Sequence, residues 1–375
     1  MAKKTTVVNN KSTRPDNVVE DEAIVFRECM EIEKELPRIL HGFFIYLKGA
    51  VLPRTRHAYL MDIRFFLRYI VEETDITGKT RPADLTAEDF QKIEGGDVNM
   101  FLDYCRHYTV EEGDRIVVYE NSNPTLARKK SSISVMFKQL YRDGIIDRNI
   151  TDGFDPIRVQ QTENKEIKAL QDDEVMKMLD AVSTGAGLTE HQKNYWQKTK
   201  KRDKAILVMF LTYGLRISEL YQLNLSSFNF SRGEFLIYRK KGKESAMPLN
   251  RSVTAVLKDY METERPREEQ IVPEHRDALF LSLQGKRMTR RQIRELVKKY
   301  TSIALDTTQN NGYSPHKLRA TAATSLIGRG NSIYDVAALL DHDHVTTTQL
   351  YARHRQNVKR DLVRDMEWEV ERKED

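Results

Sequence analysis

Cysteine is scarce in this chain of 375 residues, which contains only Cys29 and Cys105. Two cysteines cannot build a disulfide framework or a set of four thiolate ligands, so disulfide-rich secreted folds and cysteine zinc sites are excluded. The sequence also lacks an apolar run of about 18 residues, the length that a membrane-spanning helix needs. Its first residues, MAKKTTVVNNKSTRPDN, contain no apolar core typical of a signal peptide. We therefore expect a cytoplasmic protein with no membrane segment.

Nucleotide and metal signatures are missing as well. No phosphate loop of the form GxxxxGK[ST] occurs, so nothing in the sequence indicates ATP or GTP hydrolysis. Residues 341–344, with the letters DHDH, are the strongest metal candidate. Successive side chains in a tight turn point in different directions, and no other cluster with ligand spacing accompanies them. We expect neither a cofactor nor a metal ion.

Charge, in contrast, is abundant and unevenly distributed. The chain has 61 Lys and Arg against 56 Asp and Glu, a net charge of +5. Its last 15 residues carry seven acidic and three basic side chains, a net of −4, so the remainder carries +9. A basic body favours a polyanionic partner such as nucleic acid. We expect the acidic tail, residues 356–375, to contact other protomers.

The N-terminal third of the chain has the apolar spacing of helices. Residues 1–27 are polar and are expected to be flexible. From residue 28 onward, apolar side chains recur with helical spacing, and no strand-rich segment is evident. The sequence predicts a small, all-helical domain over 28–155, followed by a polar linker over 156–168 that contains Pro156.

Three predicted helices begin with clusters of basic residues. The first two clusters lie in the N-terminal domain, and the third follows Thr289, a predicted N-cap. Such clusters are often only solvated faces, but they also supply phosphate contacts, and a helix in the major groove can contact base edges. The candidate DNA-binding residues are Arg54, Thr55, Arg56, Arg128, Lys129, Lys130, Arg290, Arg291 and Arg294.

The segment that begins at Ser314 combines a helix start with side chains suited to a phosphate. Ser314 is a favourable N-cap, and Pro315 suits the first helical position, where its missing N–H costs nothing. His316 and Arg319 then lie one turn apart on one face. The helix N-terminus offers free amides, and a guanidinium matches two phosphate oxygens. The same positive end should lower the pKa of His316.

Two further helix starts follow in the same segment. Ser332 begins one of them, and Thr346 with Gln349 has the spacing of a capping box. His342 falls at the end of the first helix, and Tyr351 falls early in the second. Because tyrosine can form covalent intermediates, Tyr351 is a candidate nucleophile.

Upstream, residues 235–238 and 245–249 predict a β-hairpin. Four segments then carry a combined pattern: LTYGLRISEL contains Arg216 and Glu219, and RKKGKESAMPL contains Lys240. The third, HKLRATAAT, begins at His316, and the fourth, LDHDHVTTTQLY, ends at Tyr351. These resemble the tyrosine recombinase patterns TGLRxSEL, GKGxKxRxVPL, HxLRHxxAT and LGHxxxxTTxxY. The sequence is therefore similar to the family that includes phage integrases and Xer-type enzymes.

This resemblance implies a site-specific DNA recombinase that breaks and rejoins strands without metal or ATP. The implied fold is mainly α with a small β-hairpin, arranged as a two-domain DNA clamp with a helical core-binding domain and a catalytic domain over 169–355. The implied partners are double-stranded DNA with specific recombination sites and a homotetramer on two such sites. The implied catalytic residues are Arg216, Lys240, His316, Arg319, His342 and Tyr351, with Glu219 as support.

Three positions depart from the family patterns. Asp341 replaces the usual Gly before the second His, Ala320 replaces the second His of HxLRH, and Ser245 replaces an Arg in the hairpin. None of these changes removes an implied catalytic group. Two other functions remain open at this point: relaxation of supercoils by a type IB topoisomerase, and non-catalytic DNA binding on the same fold.

Overall fold

The computed structural model describes residues 14–159, 168–239 and 242–341, together with residue 348. These residues form fourteen α-helices and five β-strands, which confirms the prediction of a mainly helical protein with a small β component. The chain divides into two compact units, residues 1–162 and 163–375, so the division falls within the predicted linker. In the part of the chain described, no helix is long and apolar enough to cross a membrane.

Within residues 14–159, the first unit consists of six helices and one hairpin. Its elements are α1 (Asp16–Lys34), α2 (His41–Ala50), α3 (Pro53–Glu72), α4 (Ala87–Lys92), α5 (Gly95–Tyr104), β1 (His107–Glu112), β2 (Arg115–Glu120) and α6 (Asn123–Arg142).

Two expectations for this unit were wrong. Helix α1 begins at Asp16 and not near residue 28, because Val18 and Val25 bury an apolar stripe that its many charges obscure. The unit is also not all-helical, since β1 and β2 pair as an antiparallel hairpin through Gly113, whose φ is +59°. Residues 1–13 of the predicted flexible segment lie outside the described residues.

Aromatic side chains fill the core of the first unit. Phe66 of α3 lies with its ring centre 5.2 Å from that of Phe101 and 6.1 Å from that of Phe137, both in edge-on geometry. Edge-to-face aromatic pairs are favourable beyond the area that they bury. The packing therefore ties α3 to α5 and α6.

A buried carboxylate joins α3 and α6 as well. Asp62 is 2% exposed and accepts hydrogen bonds from Arg128, from Lys129 at 3.4 Å and from the Ser132 hydroxyl at 3.2 Å. A buried charge is tolerated only when it is paired and hydrogen-bonded, and this carboxylate has both kinds of partner. The charged cluster therefore supports the helix pair from inside.

The described part of the second unit contains eight helices and a three-stranded sheet. Its elements are α7 (Asp172–Thr184), α8 (Glu190–Trp196), α9 (Lys200–Tyr213), α10 (Ile217–Tyr221), β3 (Phe228–Asn229), β4 (Glu234–Tyr238), β5 (Glu244–Pro248), α11 (Arg251–Thr263), α12 (Arg290–Ala304), α13 (Pro315–Gly328) and α14 (Ile333–Leu340).

The sheet has the antiparallel order β3-β4-β5, which confirms the predicted hairpin and adds one short strand. Helix α9 packs at the centre of this unit, with Phe210 fully buried and Tyr213 in edge-on contact with Phe235 of β4, ring centres 5.0 Å apart. The end of α9, where Arg216 follows, is therefore fixed against the sheet.

The predicted helix starts are confirmed where the structure describes them. The Thr289 hydroxyl accepts from the Gln292 N–H at 3.2 Å, and the Ser332 hydroxyl accepts from the Tyr334 N–H at 3.2 Å. Ser314 also occupies the N-cap of α13, although its side chain makes no capping hydrogen bond. The predicted start at Thr346 lies outside the described residues.

Loss of the buried charge in the α3–α6 cluster should destabilise the first unit. Asp62→Asn keeps the side-chain shape but leaves two cations without their carboxylate, so we expect a loss of about 2–4 kcal/mol in the free energy of unfolding. The matched control is Asp103→Asn, whose carboxylate is exposed and lies 3.6 Å from Arg106, and which should change stability by less than about 1 kcal/mol. Urea unfolding measures both, and equal losses would contradict the role given to Asp62.

Candidate active site

Three arginines converge on the C-terminal end of α14. The carbonyl of Leu339 accepts from Arg239 at 2.7 Å, the carbonyl of Leu340 accepts from Arg319, and the carbonyl of Asp341 accepts from Arg216 at 2.8 Å. The last carbonyls of a helix have no intrahelical partner and carry partial negative charge, so cations are stabilising there. The three guanidinium groups come from the residue that follows β4, from α13 and from the start of α10, and they meet at this helix end.

Two hydrogen bonds to Glu219 hold Arg216 in place. Arg216 is the N-cap of α10, and its N–H donates to Glu219 at 2.8 Å, while its guanidinium donates to the other carboxylate oxygen at 2.7 Å. The carboxylate is 2% exposed, whereas the Arg216 side chain is 31% exposed. The pair therefore anchors one edge of the guanidinium and leaves part of it accessible.

Arg319 is buried and joins two helix ends. It is 3% exposed, and its guanidinium donates to the Gly214 carbonyl at 2.8 Å as well as to Leu340. Gly214 ends α9 with φ +57°, and a Cβ there would lie 2.4 Å from the Leu340 side chain. Only glycine allows α9 and α14 to approach this closely while Arg319 connects their carbonyls.

His316 lies in the first turn of α13 with an accessible side chain. Its pKa is lowered, first by partial desolvation and then by the positive charges of Lys317, Arg319 and Arg216. The direction agrees with the prediction, although nearby cations and desolvation are the causes here. The imidazole is therefore biased towards its neutral form, which can accept a proton.

Asp341 lies where the three arginines meet. Its carboxylate is 3.0 Å from the Lys243 ammonium and 3.7 Å from the Arg216 guanidinium. Burial by itself would raise the pKa of Asp341, but the hydrogen bond from Lys243 and the charges of Arg239 and Arg216 lower it. Asp341 is therefore an ionised group among cations.

The structure thus brings together four of the predicted residues: Arg216, Glu219, His316 and Arg319. Lys240, His342 and Tyr351 lie outside the described residues, and their assignments stay predictions. Arg239 was missed by the sequence analysis, although it replaces the first Gly of the family pattern GKGxKxRxVPL. Arg239 is 7% exposed, and the reason for an arginine at this position is evident only from the fold, in which it donates to the Leu339 carbonyl.

No group of three or more His, Cys, Asp and Glu with metal-binding geometry occurs in the ranges that the structure describes. Of the candidate run 341–344, only Asp341 is described, and its carboxylate is engaged by Lys243.

Two of the predicted DNA contacts in the first unit are buried and ion-paired. Arg56 is 3% exposed, forms an ion pair with Glu33 and lies over the Phe26 ring at 5.3 Å. Lys129 is 8% exposed, with its ammonium paired to Asp62. Consecutive helical residues differ by about 100° in direction, so a cluster of three cannot all face solvent.

The other residues of these two clusters have more accessible side chains. The side chain of Arg54 is 65% exposed and that of Arg128 is 44% exposed, and Thr55 is also exposed. Lys130 is half-buried and donates to the carbonyls of Phe154 and Asp155 at 3.3 and 2.6 Å. Lys130 therefore contributes to the local fold.

Helix α12 presents a basic face opposite a buried one. Ile293 and Val297 are buried, whereas Arg291 and Arg294 are exposed. Arg290 is half-buried and stacks over the Tyr221 ring at 4.3 Å from its centre. This geometry suits a helix that offers arginines to a polyanion, and the assignment stays a prediction.

The chain matches known proteins over most of its length. Residues 168–357 match the model of the phage integrase family. The chain is 30% identical to the tyrosine recombinase XerC of Caldanaerobacter subterraneus subsp. tengcongensis over 327 residues, which are 84% of this chain and 82% of that protein. It is 27% identical to the tyrosine recombinase XerD of Listeria innocua over 82% of this chain and 90% of that protein.

Solved structures share the fold. The chain is similar to the XerH site-specific recombinase in its post-cleavage complex, with a TM-score of 0.57 and 16% identity over 95% of this chain and 90% of that one. It is also similar to a lambda integrase fragment, with a TM-score of 0.55 and 14% identity over 90% of this chain and 98% of that one. Together with the family match over residues 168–357, this means that the chain belongs to the phage integrase family, the tyrosine-type site-specific recombinases.

Proposed function

We propose that this protein exchanges DNA strands at specific sites through a 3′-phosphotyrosyl intermediate. One observation carries the proposal: the guanidinium groups of Arg216 and Arg319 meet at the end of α14, directly before His342 in the sequence. His316 lies one turn before Arg319 on α13. This arrangement supplies two cations and a neutral base, the groups that cleavage of a phosphodiester requires.

The partners proposed are double-stranded DNA and other copies of this chain. The XerH structure holds a palindromic difH substrate, and the lambda integrase structure is a dimer on a COC′ core site. By analogy, we propose that four protomers act on two DNA sites, with the acidic residues 356–375 in protomer contacts. The enzyme would act in the cytoplasm, where such DNA is found.

In the proposed chemistry, the Tyr351 oxygen attacks the scissile phosphorus and the bond to the 5′ oxygen breaks. Arg216 and Arg319 stabilise the negative charge of the pentavalent transition state. Lys240 gives a proton to the leaving 5′ oxygen. A 5′ hydroxyl of a second strand then attacks the phosphotyrosyl link, so bond energy is conserved and neither ATP nor a metal ion is required.

Two histidines, His316 and His342, are candidate acceptors for the proton of Tyr351. Either His316 accepts it as general base and His342 hydrogen-bonds a phosphate oxygen, or the two histidines exchange these roles. The lowered pKa of His316 favours its neutral form and so supports the role of base. Glu219 supports the reaction by holding Arg216 in place.

The proposed DNA surface is smaller than the sequence alone indicated. In the first unit we retain Arg54, Thr55 and Arg128 as backbone contacts, because their side chains are accessible. In the second unit we retain Arg291 and Arg294 on the exposed face of α12. Phosphate contacts of this kind position a protein on DNA without specifying sequence.

Replacement of the nucleophile should abolish the covalent adduct. Tyr351→Phe removes the attacking oxygen but keeps the ring, so DNA binding should persist while adducts on a nicked suicide substrate disappear. The substrate would carry the site located by footprinting of DNA that flanks the gene. Tyr334→Phe is the control, because Tyr334 is 65% exposed in the first turn of α14. Undiminished adduct in Tyr351→Phe would refute the assignment.

The pKa of His316 should lie below its ordinary value of 6.5 and should rise when a neighbouring charge is removed. The folded protein binds a proton at His316 less readily than the unfolded chain does. The contribution of neutral His316 to folding stability is therefore present above pH 6.5 and is lost as the pH falls through the lower pKa of the folded state. Lys317→Gln should raise the value, as measured by NMR titration with His316→Gln for assignment.

The control for this titration is Lys258→Gln, an equal charge change on α11 that is not among the causes of the shift. It should leave the His316 pKa unchanged. A wild-type pKa at or above 6.5 would contradict the proposed electrostatics.

A substrate with sulfur at the scissile 5′ position tests the general acid. Its leaving group needs no protonation, so it should rescue cleavage by Lys240→Ala but not by Arg216→Ala. Lys243→Ala is the informative comparison, because the Lys243 ammonium lies 3.0 Å from Asp341 beside Arg216. Rescue of Lys243→Ala alone would transfer the role of general acid to Lys243.

A further inference from the structure

Asp341 differs from its family pattern and lies at the centre of the cationic cluster. The pattern LGHxxxxTTxxY has Gly at this position, and here Asp adopts φ +52°, in the left-handed region. Among the described residues, only Asp306 is another non-glycine residue with positive φ. A left-handed backbone costs free energy for residues with a Cβ, and glycine would adopt it without strain. The chain nevertheless has a carboxylate at this position.

The two oxygens of this carboxylate are shared between two cations. One oxygen lies 3.0 Å from the Lys243 ammonium, and the other lies 3.7 Å from the Arg216 guanidinium. Arg239 adds a third positive charge, and its Nε has no hydrogen-bond partner among the described residues although the side chain is buried. Asp341 itself has a side chain that is 21% exposed, so it lies at the mouth of this cluster.

A phosphodiester presents the same chemistry as a carboxylate. Each has two oxygens that share one negative charge, and each is matched by guanidinium and ammonium donors. If Arg216 is to hold a phosphate, the carboxylate of Asp341 must leave it, because two anions within a few ångströms repel one another. The two anions therefore compete for one set of donors.

We propose that Asp341 is an internal competitor of the scissile phosphate, whose carboxylate occupies Arg216 and Lys243 until DNA displaces it. The inference rests on the proposed role of Arg216 as a phosphate ligand. It goes further, since it assigns to Asp341 the control of how readily the site accepts a phosphate. Binding of DNA would exchange an internal ion pair for a phosphate contact, with no bond made or broken.

The test uses Asp341→Asn in the full chain with inorganic sulfate as the probe. Asparagine keeps the shape and tolerates left-handed backbone, but it carries no charge. Freed cations should bind sulfate about 3- to 10-fold more tightly than in the wild type, the gain expected from removing two partly exposed ion pairs. Ligand binding to the folded state raises the unfolding temperature, so thermal unfolding at constant ionic strength measures it.

Asp306→Asn provides a matched control. Asp306 also has positive φ, at +49°, and its carboxylate lies 2.5 Å from the Lys177 ammonium. The substitution therefore removes the same charge from the same kind of backbone without touching Arg216. It should leave sulfate affinity at the wild-type value.

A second measurement follows the salt dependence of binding to a short duplex. Once DNA has displaced the carboxylate, the same cations contact phosphate in both proteins, so the slope of log affinity against log salt should stay close to the wild-type value while Asp341→Asn binds the duplex more tightly at each salt concentration. Asp341→Gly should behave like Asp341→Asn, and it removes the backbone cost as well. Circular dichroism and unfolding midpoints check that both variants fold.

The outcomes separate this inference from the proposed function. Unchanged or weaker sulfate binding by both Asp341 variants would overturn the inference, as would a gain that survives when Arg216→Ala is added. Tighter binding that is lost with Arg216→Ala supports it. Sulfate binding needs no strand cleavage, so a failure of the Tyr351 adduct assay would refute the strand-transfer assignment and leave this result intact.

Discussion

The site depends on one requirement: the last carbonyls of α14 need hydrogen-bond donors. Arg239, Arg319 and Arg216 meet this requirement for three successive carbonyls, from residue 339 to residue 341. A helix C-terminus attracts cations, and guanidinium groups can bind a carbonyl while they keep other N–H groups for further acceptors. The structural need of one short helix therefore gathers the positive charge that the proposed chemistry requires.

This arrangement links segments that are distant in sequence. Arg319 connects the end of α9, through the Gly214 carbonyl, to the end of α14, and Arg239 connects β4 to the same helix. A displacement of one of these segments therefore alters the hydrogen bonds of the others, since they share one set of donors and acceptors. Strand β4, which precedes Lys240, and helix α14, which precedes His342, are coupled in this way.

Charge serves different purposes in the two units. In the first unit, Asp62 pairs with the accessible Arg128 and the buried Lys129, and Glu33 pairs with the buried Arg56. In the second unit, Asp341 engages two cations at an accessible position. A net positive charge therefore overstates the surface that is available to a polyanion, because ion pairs with acidic neighbours remove part of it.

The sequence by itself determined the family, the mainly helical character and the β4–β5 hairpin, and it singled out Arg216, Glu219, His316 and Arg319 as candidate site residues, because these follow from local spacing and motif. It missed the early start of α1 and the hairpin of β1 and β2, where many polar residues hide a weak apolar pattern. Only the tertiary structure decided which cations are buried, since the direction of a helical side chain depends on its neighbours. It also decided that Asp341 faces Arg216 and Lys243, because contacts between segments about 100 residues apart in the chain have no local signal.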